Sequence, residues 1–438
     1  MVLTQRDWLQ VRDAASLLGV SEKTLRNWDK AGKLRPARHP INGYRIYRAA
    51  DLHELKRELN RPTYFQESLD LGPPMGPASV STAVAEPQPA VRKKPVDDGS
   101  MHWRAEVALD PKHRPQLWNK PSSTVRRDWR KYPQEAHVLD EDCRRYRRLT
   151  PSEIAVLQGF DNILAKNTGF SDRQVIAALG NAVPPQMARA VMEGVCQIKS
   201  FKKHTSIEVC AGIGGLARGA AEVGFKHLSC LDIDPVCVQF LKRMPELKNS
   251  EISSDDLRYA RLDRFKGKVG LLSGGPPCQP WSSGGLRRGS EDDRDVLGEM
   301  PNLICDIEPE CFVFENVAGL TTGQNKSYFE KLMKKLQEPG PALRYGVLAA
   351  KLNAADFGVP QVRERVFIIG FRDEPAVKVH RCFDAIWSAR THRDPTISDA
   401  TRSEWRTVGE AIGGLQDPGG WKSWFGNAIP ADNFWNDE

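Results

Sequence analysis

Between Leu271 and Gly285 the chain reads LLSGGPPCQPWSSGG, a stretch that frames one cysteine, Cys278, with Pro276, Pro277 and Pro280 directly after an apolar run. Proline fixes its own φ and removes freedom from the chain, so a thiol framed this way is aimed before any ligand arrives, as a nucleophile must be. Glu315 lies near the end of a second apolar run, CFVFENV. A carboxyl taken out of water there would keep its proton and could give it to a ring nitrogen. Gln361, Arg363 and Arg365, in VPQVRERVFIIG, precede a third run, where planar guanidinium groups can hold a carbonyl or a phosphate. Nucleophile, acid and cationic clamp are expected to share one edge of a sheet.

A fourth feature adds a ligand site. Gly212, Gly214 and Gly215 follow the run SIEVCA and open a helix, which lets a ligand lie close to the backbone. Asp232 and Asp234 end the next run, where a carboxylate can bind two ribose hydroxyls. The reading is a nucleoside pocket. The layout is close to that of dinucleotide-binding turns, but the spacing is GxGG rather than GxGxxG.

The elements that must carry these groups alternate from Ser206 onward. Runs SIEVCAG, HLSCLDID, VGLLSGG, CFVFENV, YGVLAAKL and RVFIIGF read as strands. Between them lie helices: GLARGAAEVGF closed by Gly224, one from Pro235 to about Leu247, one near Pro301 to Ile307, and YFEKLMKKL. Such alternation predicts a doubly wound α/β sheet with ligands at the carboxyl ends of its strands.

Ahead of this body, Val11 to Leu18 has helical apolar spacing, Gly19 permits a turn, and Ser21 can cap a helix carrying Lys23, Thr24, Arg26, Asn27 and Lys30. The NGYRIY segment reads as a tight turn with Arg45 at its tip. Helix, turn, helix and wing predict a DNA-binding module over residues 1–60, its second helix in the major groove and its wing on phosphates. A small packing module is the alternative. Residues 61–100, rich in proline, alanine and serine, read as a flexible linker.

Of the formal charge of +7, residues 1–60 and 101–148 each contribute twelve Lys/Arg against seven Asp/Glu, which suits a polyanion held at one side. Nine cysteines without a CxxC pair argue against a zinc ribbon, a disulfide framework or any bound metal, and point to a reducing cytosol. A polar amino terminus and the lack of a long apolar run predict no leader and no membrane span.

Taken together, EVCAGIGGLARG, LDID, SDDLR, GGPPCQPWS, DDRDVL, FENVAGL and VPQVRER resemble the blocks of the DNA (cytosine-5) methyltransferase family, and the first module resembles MerR-type winged helix-turn-helix domains. RRLTPSEIAVLQGF and ALGNAVPPQMARAV resemble the family's last two blocks, yet here they come first, so the catalytic body looks circularly permuted. The resemblance implies a Rossmann-like methyltransferase fold, with residues 101–200 holding the displaced blocks and part of a recognition region. Residues 201–372 would be the catalytic S-adenosylmethionine-binding domain, and residues 373–438 the rest of the recognition region with a tryptophan-rich tail.

For chemistry, the resemblance implies that Cys278 attacks carbon 6 of a flipped cytosine while Glu315 protonates nitrogen 3 and Arg363 and Arg365 orient the base. It assigns S-adenosylmethionine to Cys210, Ala211, Gly212, Gly214, Gly215, Leu216, Asp232, Ile233, Asp256, Leu257, Pro276, Asn181, Ala182 and Val183. Double-stranded DNA would be met by Ser282 and Gln361 as well as by the first module. Two departures stand out: Glu208 and Cys210 occupy positions where the family has an aspartate and a phenylalanine that stacks on the cofactor adenine. The recognition interval is short, so specificity is expected from the winged module or from a second subunit. The expected setting is the cytoplasm, near the nucleoid. A promoter-binding regulator and an RNA cytosine methyltransferase are the other readings; the winged module favours duplex DNA.

Overall fold

The computed structural model describes residues 8–18, 22–30, 34, 36–38, 45–49, 51–52, 55, 104–105, 115–127, 133–139, 145–161, 169–277, 295–397 and 399–415. Cys278, Ser282, Ser21, the linker and the tryptophan-rich tail lie outside these residues, as do the side chains of Lys23, Thr24 and Lys30.

The first module contains β1 (Trp8–Gln10), α1 (Val11–Leu18), α2 (Glu22–Lys30), β2 (Ala37–Arg38) and β3 (Arg45–Arg48). β3 pairs antiparallel with both β1 and β2. Ala14, Ala15 and Leu18 of α1 recur at helical spacing, as do Leu25 and Trp28 of α2, and both sets are buried with Tyr47 and Leu52. One call needs correcting. Arg45 does not stand at a wing tip: it opens β3, three-quarters buried, and its Nε lies 2.6 Å from Asp29 Oδ2 of α2. Paired there, it pins the hairpin to the helix. Arg26 and Asn27 are exposed on α2, with Arg26 bonded to Glu22 at 2.6 Å.

Next come β4 (Arg104–Ala105), β5 (Gln116–Leu117), β6 (His137–Leu139) and β7 (Arg145–Arg148), a small sheet in the order β4–β7–β6–β5. α3 (Pro151–Leu157), α4 (Asp172–Asn181) and α5 (Pro185–Ile198) follow. α3 and α4 each begin with a capping box, Thr150 with Glu153 and Ser171 with Gln174.

The main body is β8 (Thr205–Val209), α6 (Gly215–Glu222), β9 (Lys226–Leu231), α7 (Pro235–Arg243), β10 (Glu251–Ser253), β11 (Leu271–Gly274), α8 (Met300–Ile307), β12 (Cys311–Val317), α9 (Lys326–Gln337), β13 (Tyr345–Asn353), β14 (Glu364–Arg372) and α10 (Ala376–Ser388). After these come β15 (His392–Arg393), β16 (Ser403–Glu404) and α11 (Val408–Ile412). The seven-stranded sheet runs β10–β9–β8–β11–β12–β14–β13, with β14 antiparallel to both its neighbours. This is a Rossmann-like α/β fold.

Side chains alternate across the sheet and both faces are covered, which is why its strands read as continuous apolar runs. Leu271, Val313 and Ile369 face the layer of α5, α6 and α10. Leu272, Phe312, Phe314 and Ile368 face the layer of α8 and α9. α3, α4, α7 and α11 close a third core through Ile154, Leu179, Phe240 and Val408.

Two boundaries differ from the sequence reading. α7 stops at Arg243 because Pro245 drives Met244 out of helical geometry, and a short 3₁₀ turn carries the chain to Leu247. Within the segment expected to be recognition region, residues Ala376–Ser388 form α10. Its stripe of Val379, Cys382, Phe383 and Ile386 packs into the main core.

Two glycines permit close approaches, one within the block preceding the sheet and one between that block and the helix after β8. A Cβ on Gly180 would lie 2.6 Å from the Arg126 carbonyl carbon, and one on Gly215 would run into the carbonyl oxygen of Val183. Gly215→Ala is therefore expected to lose about 1–3 kcal/mol of unfolding free energy, measurable by urea denaturation. A midpoint unchanged from the parent would contradict this close approach.

Candidate active site

Three parallel strands lie side by side, β8 and β11 ending in register while β12 runs on to Val317. Gly274 of β11 lies opposite Val209 of β8 and Phe314 of β12, so the residues that follow these three emerge side by side. After Val209 the backbone turns through positive φ at Cys210 (49°), Gly212 (55°) and Gly214 (83°) before α6 starts at Gly215. Cys210 is the costly member, since a side chain at positive φ is strained by about 1–2 kcal/mol.

Asp232, past the end of β9, holds this turn. The Gly212 N–H donates to its Oδ2 at 2.7 Å and the Asp234 N–H to its Oδ1 at 2.9 Å. Burial raises the Asp232 pKa, and those two backbone donors pull it back. Asp234 caps α7 by accepting the Val236 N–H at 2.9 Å. A Cβ on Gly212 would meet nothing within 4 Å, so the outer face of the turn is open backbone. Ala211 and Leu216 are buried beneath it.

Around the turn stand the other expected cofactor residues. Ile233 is 64% exposed. Asp256 accepts the Arg258 N–H at 3.0 Å and pairs with the Arg258 guanidinium at 2.5 Å, which lowers its pKa. Leu257 is half-buried. Asn181 is exposed at the end of α4, while Ala182 and Val183 are buried, with the Val183 carbonyl against Gly215.

The acid side is built by β12 and β14. Glu315 is 7% exposed, and its Oε1 lies 2.8 Å from Arg365 Nε. Burial pushes its carboxyl upward, while Arg365 and Arg363 pull the other way. Asn316 Nδ2 donates to the buried Pro276 carbonyl at 2.9 Å, tethering the loop that leaves β11. A Cβ on Gly275 would lie 3.4 Å from Glu315 Oε2 and 3.7 Å from the Cys210 carbonyl. This links the acid to the glycine turn.

Two expected contacts are corrected here. Arg363 was expected to orient a base, but it has no exposed surface: Nη1 donates to Val125 O at 3.2 Å, and Nη2 donates to Gly180 O at 2.9 Å and Ala182 O at 3.0 Å. Its geometry is that of a clip between segments. Gln361 was expected to meet DNA, yet it too is fully buried. It accepts the Val125 N–H at 3.2 Å and donates to Leu157 O at 3.1 Å and Gln158 Oε1 at 2.6 Å.

Glu208 was noted in the sequence only as a departure from the family's aspartate, and its setting in the strand was not foreseen. Glu208, buried in β8, accepts from Ser273 Oγ of β11 at 3.2 Å. Burial pushes its carboxyl up to about 8, with Ser273 opposing and Asp232 adding to the rise. A glutamate inside the apolar run SIEVC was the available signal.

The glycine turn, the buried Glu315 carboxyl and the start of the loop leaving β11 thus share one edge of this Rossmann-like α/β fold. The chain belongs to the C-5 cytosine-specific DNA methylase family, whose sequence profile matches residues 89–197 and 204–412. The MerR family regulatory protein profile matches residues 10–47. Type II methyltransferase M.NgoMIV of Neisseria gonorrhoeae is 32% identical over 173 residues, 39% of this chain and 53% of that protein. Type II methyltransferase M.AquIA of Picosynechococcus is 36% identical over 178 residues, 38% of this chain and 71% of that protein. The matched part spans about half the length of most of these curated relatives, from 40% to 71%. A prophage-encoded E. coli protein described as a DNA modification methyltransferase is 23% identical, with a TM-score of 0.35 over 49% of this chain and 55% of that one. None of the described helices is long and apolar enough to cross a membrane.

The raised Glu208 has a definite sign. A carboxyl whose folded pKa lies above its ordinary 4.5 stabilises the fold fully below that value and loses the contribution as pH rises through about 8. Stability should therefore fall between about pH 5 and about pH 8, by at most ~1.4 kcal/mol per pH unit. Glu208→Gln should flatten that slope in urea titrations at several pH values; parallel slopes in the two proteins would exclude the effect.

Proposed function

We propose that this chain is a DNA (cytosine-5) methyltransferase that transfers a methyl group from S-adenosylmethionine to carbon 5 of a cytosine flipped out of duplex DNA. The observation that carries the reading is the register of β8, β11 and β12. It brings the glycine turn, the loop leading to Cys278 and the buried Glu315 to one edge. Cys278 follows the tethered Pro276 by two residues, and covalent geometry keeps their Cα atoms within about 7 Å.

The open backbone at Gly212, the Asp232 carboxylate and the exposed Ile233 fit a nucleoside cofactor, and S-adenosylmethionine supplies an electrophilic methyl group when bound. The Cys278 thiolate would add to carbon 6 of the cytosine while Glu315 gives its proton to nitrogen 3, leaving carbon 5 electron-rich. After carbon 5 is methylated, it would lose its proton to a base, the sulfur–carbon 6 bond would break to release the thiolate, and nitrogen 3 would return its proton to Glu315, restoring the ring. Arg365, ion-paired with Glu315, holds the carboxyl in place and adds positive charge beside the base carbonyl.

Double-stranded DNA is the proposed substrate, with a cytoplasmic setting near the nucleoid. Exposed Arg26 and Asn27 on α2 support a DNA-reading role for the first module. The position of RRLTPSEIAVLQGF and ALGNAVPPQMARAV ahead of EVCAGIGGLARG supports a circular permutation. Specificity is assigned to residues 1–60 and the joined recognition segments, with a second subunit as the other source.

In a host expressing the chain, bisulfite sequencing should show 5-methylcytosine at one sequence. Cys278→Ala should lower it at least about 10³-fold, and 5-fluorocytosine DNA should trap the parent covalently; methylation by the alanine variant would overturn the mechanism. Deleting residues 1–100 should weaken DNA binding at least about tenfold. An unchanged affinity and target would remove the first module from recognition.

A further inference from the structure

An adenine ring presents two flat faces, and a pocket for it needs a large side chain to cover at least one of them. The glycine turn offers none: Cys210 is small, and Ala211 and Ile213 are buried in the packing below it. Among the described residues the large apolar side chains that stay mainly exposed are Ile233, Tyr259, Val317 and Val377. Two of these four stand at neighbouring strand ends. β10 runs parallel to β9 with Ser253 opposite Leu231, and the Asp232 N–H donates to the Ser253 carbonyl at 3.3 Å. Ile233 follows the first of these ends. Asp256 and the 3₁₀ turn Leu257–Tyr259 follow the second.

Tyr259 is exposed without being loose. Asp256 caps its turn through the Arg258 N–H, and the Arg258 guanidinium lies along the same carboxylate. That guanidinium carbon sits 5.6 Å from the centre of the Tyr259 ring, so the ring is braced by a cation on one side. The tyrosine is nonetheless 78% exposed, and covering a ring of this size would gain substantial apolar burial.

We propose that Tyr259 is the aromatic cover of the cofactor's adenine in this chain, with Ile233 adding the second apolar contact, in place of a ring on the glycine turn. This rests on the assignment of the turn to S-adenosylmethionine. Because Tyr259 is on the surface, its removal leaves folding intact, and affinity can be read directly.

Calorimetric titration of the full chain with S-adenosylhomocysteine is the test. Tyr259→Ala should weaken binding about three- to tenfold, Tyr259→Phe should stay within about twofold of the parent, and Val377→Ala on α10 should change nothing. A Tyr259→Ala protein within about twofold of the parent overturns the proposal. So does one that keeps its nucleoside affinity and loses DNA affinity, which would put the ring on the DNA side. A parent that binds no S-adenosyl ligand overturns the functional reading itself, and this inference with it.

Discussion

Beneath the candidate site lies a guanidinium with no exposed atom, and the geometry of the whole edge follows from how Arg363 is satisfied. Burying such a cation costs several kcal/mol unless hydrogen bonds and opposite charge compensate it. Burial indeed pushes Arg363 well below the ordinary guanidinium range, with Glu315 as the opposing charge. Its acceptors come from separate parts of the chain, Val125 on one side and Gly180 with Ala182 at the end of α4 on the other. The Arg363 N–H donates to the side chain of Asn353 at 3.0 Å. Gln361, two residues earlier, ties Val125 again and reaches Leu157 and Gln158. Displacing any of these segments would strand a buried charge or amide, so they are held together as one unit.

Above that clip, two buried carboxyls have different partners and therefore different uses. Glu208 has a hydroxyl for company and the Asp232 charge nearby, an environment that favours the neutral form. A neutral carboxyl can bridge β8 and β11 under the glycine turn without adding repulsion to Asp232. Glu315 faces two guanidinium groups, which partly offset the same burial. A group that must give up a proton and recover it needs that balance; a group that only joins two strands does not.

The sheet was legible because its strands are apolar on both faces and its helices carry stripes at the right period, so β8, β9 and β11 to β14 fall close to where their runs predict, while the short edge strand β10 had no apolar run to announce it. The glycine turn was legible for a related reason: Gly212, Gly214 and Gly215 are required by positive φ or close approach, and glycine is the residue those constraints select. Arg363 and Gln361 were misread because polarity in a sequence does not say which way a side chain faces. An arginine between apolar residues can clamp a ligand or satisfy buried carbonyls, and only the positions of Val125 and Gly180, more than 180 residues away, decide it. Arg45 was misread likewise, since its partner Asp29 lies on another element. α10 was missed because residues 373–438 were assigned to the recognition region from the resemblance alone, although the spacing of Val379, Cys382, Phe383 and Ile386 already matched a core helix.

The permuted order we propose moves a chain break rather than a contact. α5 ends at Ile198 and β8 begins at Thr205, so a short connection joins the displaced block to the sheet it covers, and closing a loop that short costs little entropy. The break falls instead within the recognition interval, whose two pieces must then rejoin without a covalent link. They do so through backbone: the Val408 N–H donates to Lys120 O at 2.8 Å and the Gly409 N–H to Trp118 O at 2.7 Å. Thr407 caps α11 beside this junction, and Val408 and Ile412 enter the core that holds Ile154 and Leu179. On the other side, residues 122–124 are zipped to the segment carrying the clip, with the Ser122 N–H on Pro360 O at 2.9 Å and the Val362 N–H on Ser122 O at 2.8 Å. The same backbone that closes the interval therefore leads directly into Val125, the acceptor of Arg363. Rejoining the split interval and positioning the catalytic edge are one packing event, which is the physical condition for the reordered chain to build the same site.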